Sequence, residues 1–310
     1  MPPKFGAHMS MAGGHDRAAF AAKAVGFDTF QLFTKNNNQW NAKALQDHQI
    51  AAFRSSLKET GLVDPIAHNS YLINLASPNE ELWEKSIAAM VVELERAEAL
   101  GIVAVVTHPG AHVGSGEEEG LNRIVKAIDE IHRRAPGIAA RIALETTAGQ
   151  GSCLGHRFEH LGRIVDGARC PERLAVCVDT CHVFAAGYSL ETSSQYNETI
   201  EALDRAVGLA RVRVWHLNDS LRELGSRVDR HAAIGRGKIG PEPFRHLVND
   251  PRFAHVPMIL ETPKGTENGE ELDLVNLRTL RGLLKRDESP SAASPPSRSK
   301  KHGSKELSLN

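Results

Sequence analysis

Six short apolar segments of this chain end on a side chain that can hold a proton or a metal ion. His68 follows I-A, His108 follows V-V-T, Glu145 follows I-A-L, Asp179 follows V-C-V, His216 follows V-W and Glu261 follows I-L. One such residue at the end of a strand reads as a surface or capping group. Six in succession, drawn only from His, Asp and Glu, form a ring that is costly to bury unless cations lie between its members. His182 follows Asp179 across the start of the loop beyond the strand, and D-R-H at 229–231 adds Asp229 and His231, two apart and so on the same side of an extended segment. Five imidazoles and four carboxylates with no thiolate suit zinc or manganese, or iron, better than magnesium or calcium. Nine donors exceed the needs of one ion, so two or three ions must share them through bridging carboxylates. Metals about 3.5–4 Å apart typically serve phosphoryl transfer.

These residues need a scaffold that brings strand ends together. Strands are expected at 4–9, 29–33, 63–68, 103–108, 141–146, 174–179, 212–217 and 257–262, with amphipathic segments between them. The clearest helix runs over 79–100, N-E-E-L-W-E-K-S-I-A-A-M-V-V-E-L-E-R-A-E-A-L, and Gly101 closes it. Eight strand-then-helix units fit an α/β fold of the (β/α)8 TIM barrel type better than an open doubly wound sheet. In such a barrel the C-terminal strand ends converge at one mouth, where polar residues serve chemistry rather than packing. Residues 1–286 are therefore expected to form one barrel domain. Residues 287–310, rich in Ser, Pro and Lys, are expected to form a disordered tail. Its basic residues Arg298, Lys300, Lys301 and Lys305 make it a solvated segment, a nucleic-acid contact or an address.

Composition narrows the class. With 41% hydrophobic and 24% charged residues, the chain has an ordinary globular make-up. A net charge of −1 gives no global attraction to a polyanion, so any nucleic-acid contact must rely on local positive potential. No run of about 18 uncharged apolar residues encodes a membrane span. The N-terminus carries no apolar signal core, and Cys153, Cys170, Cys177 and Cys181 show no C-x-x-C spacing. Reduced thiols in a cytoplasmic compartment are expected.

In nine stretches the chain resembles the endonuclease IV family of apurinic/apyrimidinic endonucleases. They are G-A-H-M-S-M-A-G-G (6–14), F-T-K-N-N-N-Q-W (33–40), H-N-S-Y-L-I-N-L-A (68–76), T-H-P-G (107–110), L-E-T-T-A-G-Q-G (144–151), V-D-T-C-H-V-F-A-A-G-Y (178–188), H-L-N-D-S (216–220), D-R-H-A-A-I-G-R-G-K-I-G (229–240) and I-L-E-T-P (259–263). The resemblance implies a DNA-repair phosphodiesterase of base excision repair, a TIM barrel with a trinuclear zinc cluster. Such an enzyme cleaves the backbone 5′ to an abasic site, leaving a 3′-hydroxyl and a 5′-deoxyribose phosphate, and removes 3′-blocking groups. It also implies that His68, His108 and Glu145 hold a first zinc, with Glu145 bridging to a second completed by Asp179, His216 and Glu261. A third falls to His182, Asp229 and His231, and manganese is an alternative to zinc at one site. A metal-activated hydroxide is the implied nucleophile, with Glu145 and Glu261 as the catalytic carboxylates; Glu261 either orients the nucleophile or serves as a ligand only. The implied partner is double-stranded DNA carrying abasic or 3′-blocked sites. The implied protein is a monomer of the cytoplasm, nucleoid-associated in a bacterium, neither secreted nor bound to membranes.

Lys35, Gln39, Tyr71 and Leu72 fall where the family's DNA-penetrating loops lie, with Arg230 and Arg236 as further DNA contacts. Tyr71 is balanced between a wedge into the base stack and simple rim packing. Asn38 stands where the family pattern K-N-x-R-Q-W carries arginine, which affects the hold on a flipped nucleotide rather than the chemistry. Ala111 in H-P-G-A-H replaces a common serine. G-R-G-K at 235–238 lacks the glycine and Ser/Thr of a phosphate-cradling loop, leaving Arg236 and Lys238 as phosphate contacts. Cys181 is expected to be a buried small residue, and His8 and His112 either orient ligands or are satisfied polar groups. The main rival is a sugar isomerase or epimerase of the xylose-isomerase-like kind, in which a third metal group has no task. A binding-only protein is another, against which the full donor set argues.

Overall fold

The computed structural model describes residues 3–285. The expected tail, 287–310, lies outside the described residues. The barrel strands are β1 (Lys4–Ala7), β2 (Gln31–Phe33), β3 (Ile66–His68), β4 (Ala104–Thr107), β5 (Arg141–Glu145), β6 (Leu174–Asp179), β7 (Val212–His216) and β8 (Pro257–Leu260). All ladders between them are parallel, in the order β1-β8-β7-β6-β5-β4-β3-β2. The ring closes between β2 and β1 through a parallel bridge pairing His8 with Gln31, where Met9 N donates to Gln31 O at 2.7 Å. Each expected strand is present, most of them trimmed by a few residues, because the last residues of several leave the ladder to form the mouth.

Helices follow the strands: α1 (His15–Val25), α2 (Asp47–Thr60), α3 (Glu80–Leu100), α4 (Glu117–Arg134), α5 (Phe158–Gly167), α6 (Thr180–Ala186), α7 (Ser193–Val207), α8 (Pro241–Val248) and α9 (Leu272–Leu283). The ends of α3 follow from local chemistry. The Asn79 side chain accepts from Leu82 N at 2.8 Å, and Gly101 closes the helix in the left-handed region at φ 79°. In α4 three glutamates open the first turn and Arg133 and Arg134 fill the last, matching the helix dipole at both ends. None of the described helices is long and apolar enough to cross a membrane.

The core has two layers, set by the period of two along each strand. Outward residues such as Leu32, Val105, Leu144, Val176 and Trp215 pack against helical residues including Met90, Leu94, Ile124 and Leu161. Each wholly buried Leu or Met there contributes about 1.5–3 kcal/mol. Ile66, Ala104, Val106, Ala143, Ala175, Cys177, Val214 and Ile259 face inward and fill the barrel. Gly6 completes that interior, since a Cβ there would lie 2.6 Å from Thr29 O and 2.9 Å from Ile259 Cδ1. Stepping two further residues along the inward rows leads to His8, His68, His108, Glu145, Asp179, His216 and Glu261, so the barrel's pleat alone aims these side chains into one mouth.

Two short antiparallel ladders shape that mouth. Gly110–Ala111 pairs with Cys153–Leu154, and Asp219–Ser220 pairs with His231–Ala232. The second returns the 221–230 loop to the barrel and thereby delivers Asp229 and His231. All four cysteines are free thiols.

Candidate metal centre

His68, His108 and Glu145 form a first group whose donor atoms lie within 4.8 Å of one another. Glu145 Oε2 is 3.2 Å from Nε2 of both His68 and His108. The other oxygen of the same carboxylate looks across the barrel, where Oε1 is 2.9 Å from His216 Nδ1. His216 Nδ1 also lies 3.1 Å from Glu261 Oε2 and 3.9 Å from Asp179 Oδ2. Glu145 thus joins two groups. A third group contains His182, Asp229 and His231: Asp229 Oδ2 is 3.1 Å from His182 Nε2, and Oδ1 is 3.2 Å from His231 Nε2. Asp179 Oδ2 reaches His231 Nε2 at 3.7 Å, linking the second group to the third. All nine residues singled out from the sequence converge at one mouth.

His182 does not sit in a loop, as the sequence suggested, but in the first turn of the short helix α6. Asp179 caps that helix, its Oδ1 accepting from His182 N at 2.9 Å. The apolar run of V-D-T-C-H-V-F-A-A hides the strand-to-helix change, and the aspartate marks it. Its other oxygen, Oδ2, accepts from Asn218 Nδ2 at 2.7 Å, while Asn218 Oδ1 accepts from Glu261 N at 2.9 Å. Asn218, from the H-L-N-D-S stretch, therefore fixes one donor of the second group and the backbone of another. Gln31 is a further polar group that the sequence reading passed over; it touches His216, Glu261 and His8. Its inward place in T-F-Q-L-F was the available signal.

Four imidazoles share one pattern: one ring nitrogen meets an oxygen acceptor, and the other faces the cluster. His68 Nδ1 donates to Asn69 O at 2.9 Å, His182 Nδ1 to Thr146 O at 2.8 Å and His231 Nδ1 to Glu261 O at 3.2 Å. His216 Nε2 meets Gln31 Oε1 at 2.9 Å. Histidines that ligate metals are tied in this way, which leaves a lone pair for the ion. His231 Nε2 is buried and, although Asp229 Oδ1 lies 3.2 Å away, makes no well-directed hydrogen bond, as befits a nitrogen reserved for a cation. The residues present therefore fit divalent metal.

The electrostatics agree. Burial disfavours the charged form of every group here, yet the surrounding imidazoles of His216 and His108 hold the Glu145 carboxyl well below its ordinary range, and His216 does the same for Glu261. Against burial, Asp179, Asp229 and Glu145 raise His182 well above its ordinary value, and Asp179 and Asp229 raise His231 to about 9. Ionised carboxylates interleaved with imidazoles that seek a positive charge are the electrostatic imprint of a cation site. Cys177 and Cys181 border the cluster, but burial pushes each thiol up to about 12. A separate trio, Glu117, His156 and His160, has ligand-like spacing. There Arg157 pairs with Glu117 and donates to His160 Nε2 at 3.0 Å, so a guanidinium supplies the positive charge.

Around the mouth Tyr71 is 63% exposed, its ring 5.7 Å from those of His68 and Phe33, with half-buried Leu72 beside it. Gln39 and Arg230 are exposed. Lys35 is not: it is buried, donating to Gln39 O at 2.8 Å and lying 3.5 Å from Glu93 Oε1. The expected DNA contact at Lys35 is replaced by an internal ion pair that shapes the Asn36–Gln39 loop, because Glu93 of α3 reaches under it. Arg236 pairs with Glu267 at 2.6 Å and Lys238 with Glu223 at 2.8 Å. The backbone of this stretch is engaged as well: Gly237 N donates to the buried Asp219 carboxylate at 3.0 Å, Arg236 N to Ala233 O at 3.0 Å and Lys238 N to Ser220 O at 2.7 Å. His8 lies 3.6 Å from Glu261 Oε1, whereas His112 Nδ1 accepts from Gly116 N at 3.1 Å and shapes its own loop.

A profile of the xylose isomerase-like TIM barrel family matches residues 19–281. The probable endonuclease 4 of Chloroflexus aggregans is 53% identical over 283 residues, spanning 91% of this chain and 98% of that protein. The crystal structure of endonuclease IV from Thermus thermophilus superposes with a TM-score of 0.80 at 40% identity, covering 91% of this chain and 98% of that one. A D-tagatose 3-epimerase-like protein, with a TM-score of 0.67 at 21% identity over 90% of this chain and 96% of its own, shares the fold.

Proposed function

The chain belongs to the endonuclease IV family within the xylose isomerase-like TIM barrels, and on that premise we propose that it is a DNA-repair phosphodiesterase acting on double-stranded DNA. The reaction is hydrolysis of the backbone 5′ to an abasic site, giving a 3′-hydroxyl and a 5′-deoxyribose phosphate, with removal of 3′-blocking groups by the same phosphoester chemistry. The observation that carries this reading is the convergence of nine donors in three linked groups at one barrel mouth. His68, His108 and Glu145 would hold one zinc, and Glu145, Asp179, His216 and Glu261 a second. His182, Asp229 and His231 would hold a third, with manganese as an alternative at one position. Bound ions supply activation of water and neutralisation of the charge on the phosphate and departing oxygen.

The chain's own groups divide the remaining work. Glu145, sealed from solvent, ties the first two groups together through its two oxygens. Glu261 keeps partial access to the mouth, with 16% of its side chain exposed, and its carboxylate is suited to orient the attacking water as well as to ligate. As that oxygen bonds to phosphorus, the bond to the 3′-oxygen breaks and the latter ends as a hydroxyl. Tyr71 and Leu72 form the wedge that displaces the lesion, and Gln39 and Arg230 offer exposed contacts at the rim. Arg236 reaches a phosphate only by leaving Glu267. Asn38 offers no guanidinium to the flipped state.

The test is incision of a duplex carrying one tetrahydrofuran abasic analogue by metal-replete protein, with loss of activity in Glu261→Gln. Intact duplex together with interconversion of ketoses would establish the sugar-epimerase alternative. Against that alternative stands the third group, His182, Asp229 and His231, for which ketose chemistry has no use.

A further inference from the structure

Four histidines of the cluster are held in register by two different devices. His68, His182 and His231 each donate one ring nitrogen to a main-chain carbonyl, of Asn69, Thr146 and Glu261. Side-chain replacement leaves those acceptors in place. His216 is held instead by a side chain, Gln31 of β2, whose amide has three polar neighbours. One end of that amide lies 2.6 Å from Glu261 Oε1. An ionised carboxylate only accepts, so this end must be the NH2 group. The carbonyl then faces His216 Nε2 at 2.9 Å. A carbonyl also only accepts, so the His216 proton resides on Nε2. Nδ1, which faces Glu145 Oε1 at 2.9 Å and Glu261 Oε2 at 3.1 Å, is then the nitrogen left to offer a lone pair to an ion shared with those carboxylates. The second amide hydrogen points to His8 Nδ1 at 3.0 Å, which places the His8 proton on its own Nε2.

We propose that Gln31 is the positioning residue of the second metal group, selecting the His216 tautomer that frees Nδ1 and engaging Glu261 Oε1 so that Oε2 is presented to the ion. One amide thereby sets two donors of one group and touches neither of the other two. This inference rests on the reading of His216 and Glu261 as ligands of a shared ion.

The test compares wild type with Gln31→Met, which keeps the length and removes every hydrogen bond, and Gln31→Glu, which keeps an acceptor for His216 but sets a like charge against Glu261. Each protein is loaded with zinc and titrated with a chromophoric chelator, the bound ions being counted by native mass spectrometry. Both variants are expected to bind one of their ions about 10- to 100-fold more weakly than wild type, with the remaining affinities unchanged. Those unchanged affinities double as the check on folding, and Gln31→Glu carries the comparison if Gln31→Met does not fold. Nitrogen-15 NMR of the zinc-loaded wild type should show the His216 proton on Nε2. Equal affinities in all three proteins, uniform weakening of every ion, or a His216 proton on Nδ1 overturns the proposal. A wild type that binds no more than one ion would instead refute the cluster on which it rests.

Discussion

Glu145→Gln changes one oxygen to an amide and removes one charge with almost no change of shape, yet two of the three donor groups depend on that carboxylate. Oε2 serves His68 and His108 at 3.2 Å, and Oε1 serves His216 at 2.9 Å. Asp229, by contrast, touches only His182 and His231. Zinc counted by native mass spectrometry should therefore fall from about three per chain to about one in Glu145→Gln and to about two in Asp229→Asn. With free zinc at about 1,000 times the dissociation constant, each ion adds about 4 kcal/mol to stability. The zinc-dependent rise in unfolding free energy, read from urea curves with and without metal, should accordingly drop to about one third in the first variant and about two thirds in the second. Incision of the abasic duplex should fall by about 1,000-fold or more in both, since each loses several kcal/mol of charge stabilisation. The reasoning is refuted if Glu145→Gln retains all its ions, or if Asp229→Asn loses as many as Glu145→Gln.

Tyr71→Ala should change stability by less than about 0.5 kcal/mol, the ring being largely exposed. It should lower kcat/KM on the abasic duplex about 5- to 150-fold through lost stacking, with Tyr71→Phe close to wild type; an unchanged kcat/KM in the alanine variant leaves the ring as rim packing. Lys35→Met breaks a buried pair and should cost about 3–5 kcal/mol in urea unfolding. The salt dependence of DNA binding should not move, and a slope reduced by about one would return Lys35 to the phosphate contacts. His132 is buried with Nδ1 unpartnered, and burial, aided by Arg173, pushes its pKa from 6.5 down to about 4. Between those values the unfolded chain takes up the proton and the folded chain does not, so stability falls as pH drops through that window, by about 2 kcal/mol at pH 5. In metal-stripped protein, His132→Leu should lose less stability than wild type between pH 7 and pH 5; equal losses would contradict the assignment.

The strands and their polar ends were legible because both depend on local pattern. The pleat sends every second residue inward, so an apolar segment that closes on His, Asp or Glu commits that side chain to the mouth once the barrel is granted. The helix over 80–100 was legible for a similar reason, with its cap at Asn79 and its stop at Gly101 carried in adjacent residues. The start of α6 was masked because strand and helix share one apolar run, and the Asp179 carboxylate is both cap and donor.

Other features were decided by pairings that no local pattern contains. Lys35 reads as a basic loop residue until α3 brings Glu93 beneath it. Arg236 and Lys238 read as phosphate contacts until Glu267 and Glu223 pair with them. Gln31 lies 230 positions from Glu261 and 185 from His216, and they meet because the barrel closes between its first and second strands. Sequence by itself determined which donors exist and which way each faces, since residue type and strand parity are local properties. The tertiary structure alone decided which donors share a neighbour and which side chain fixes the proton on each ring. Those depend on ring closure and strand stagger, which bring remote residues within hydrogen-bonding distance.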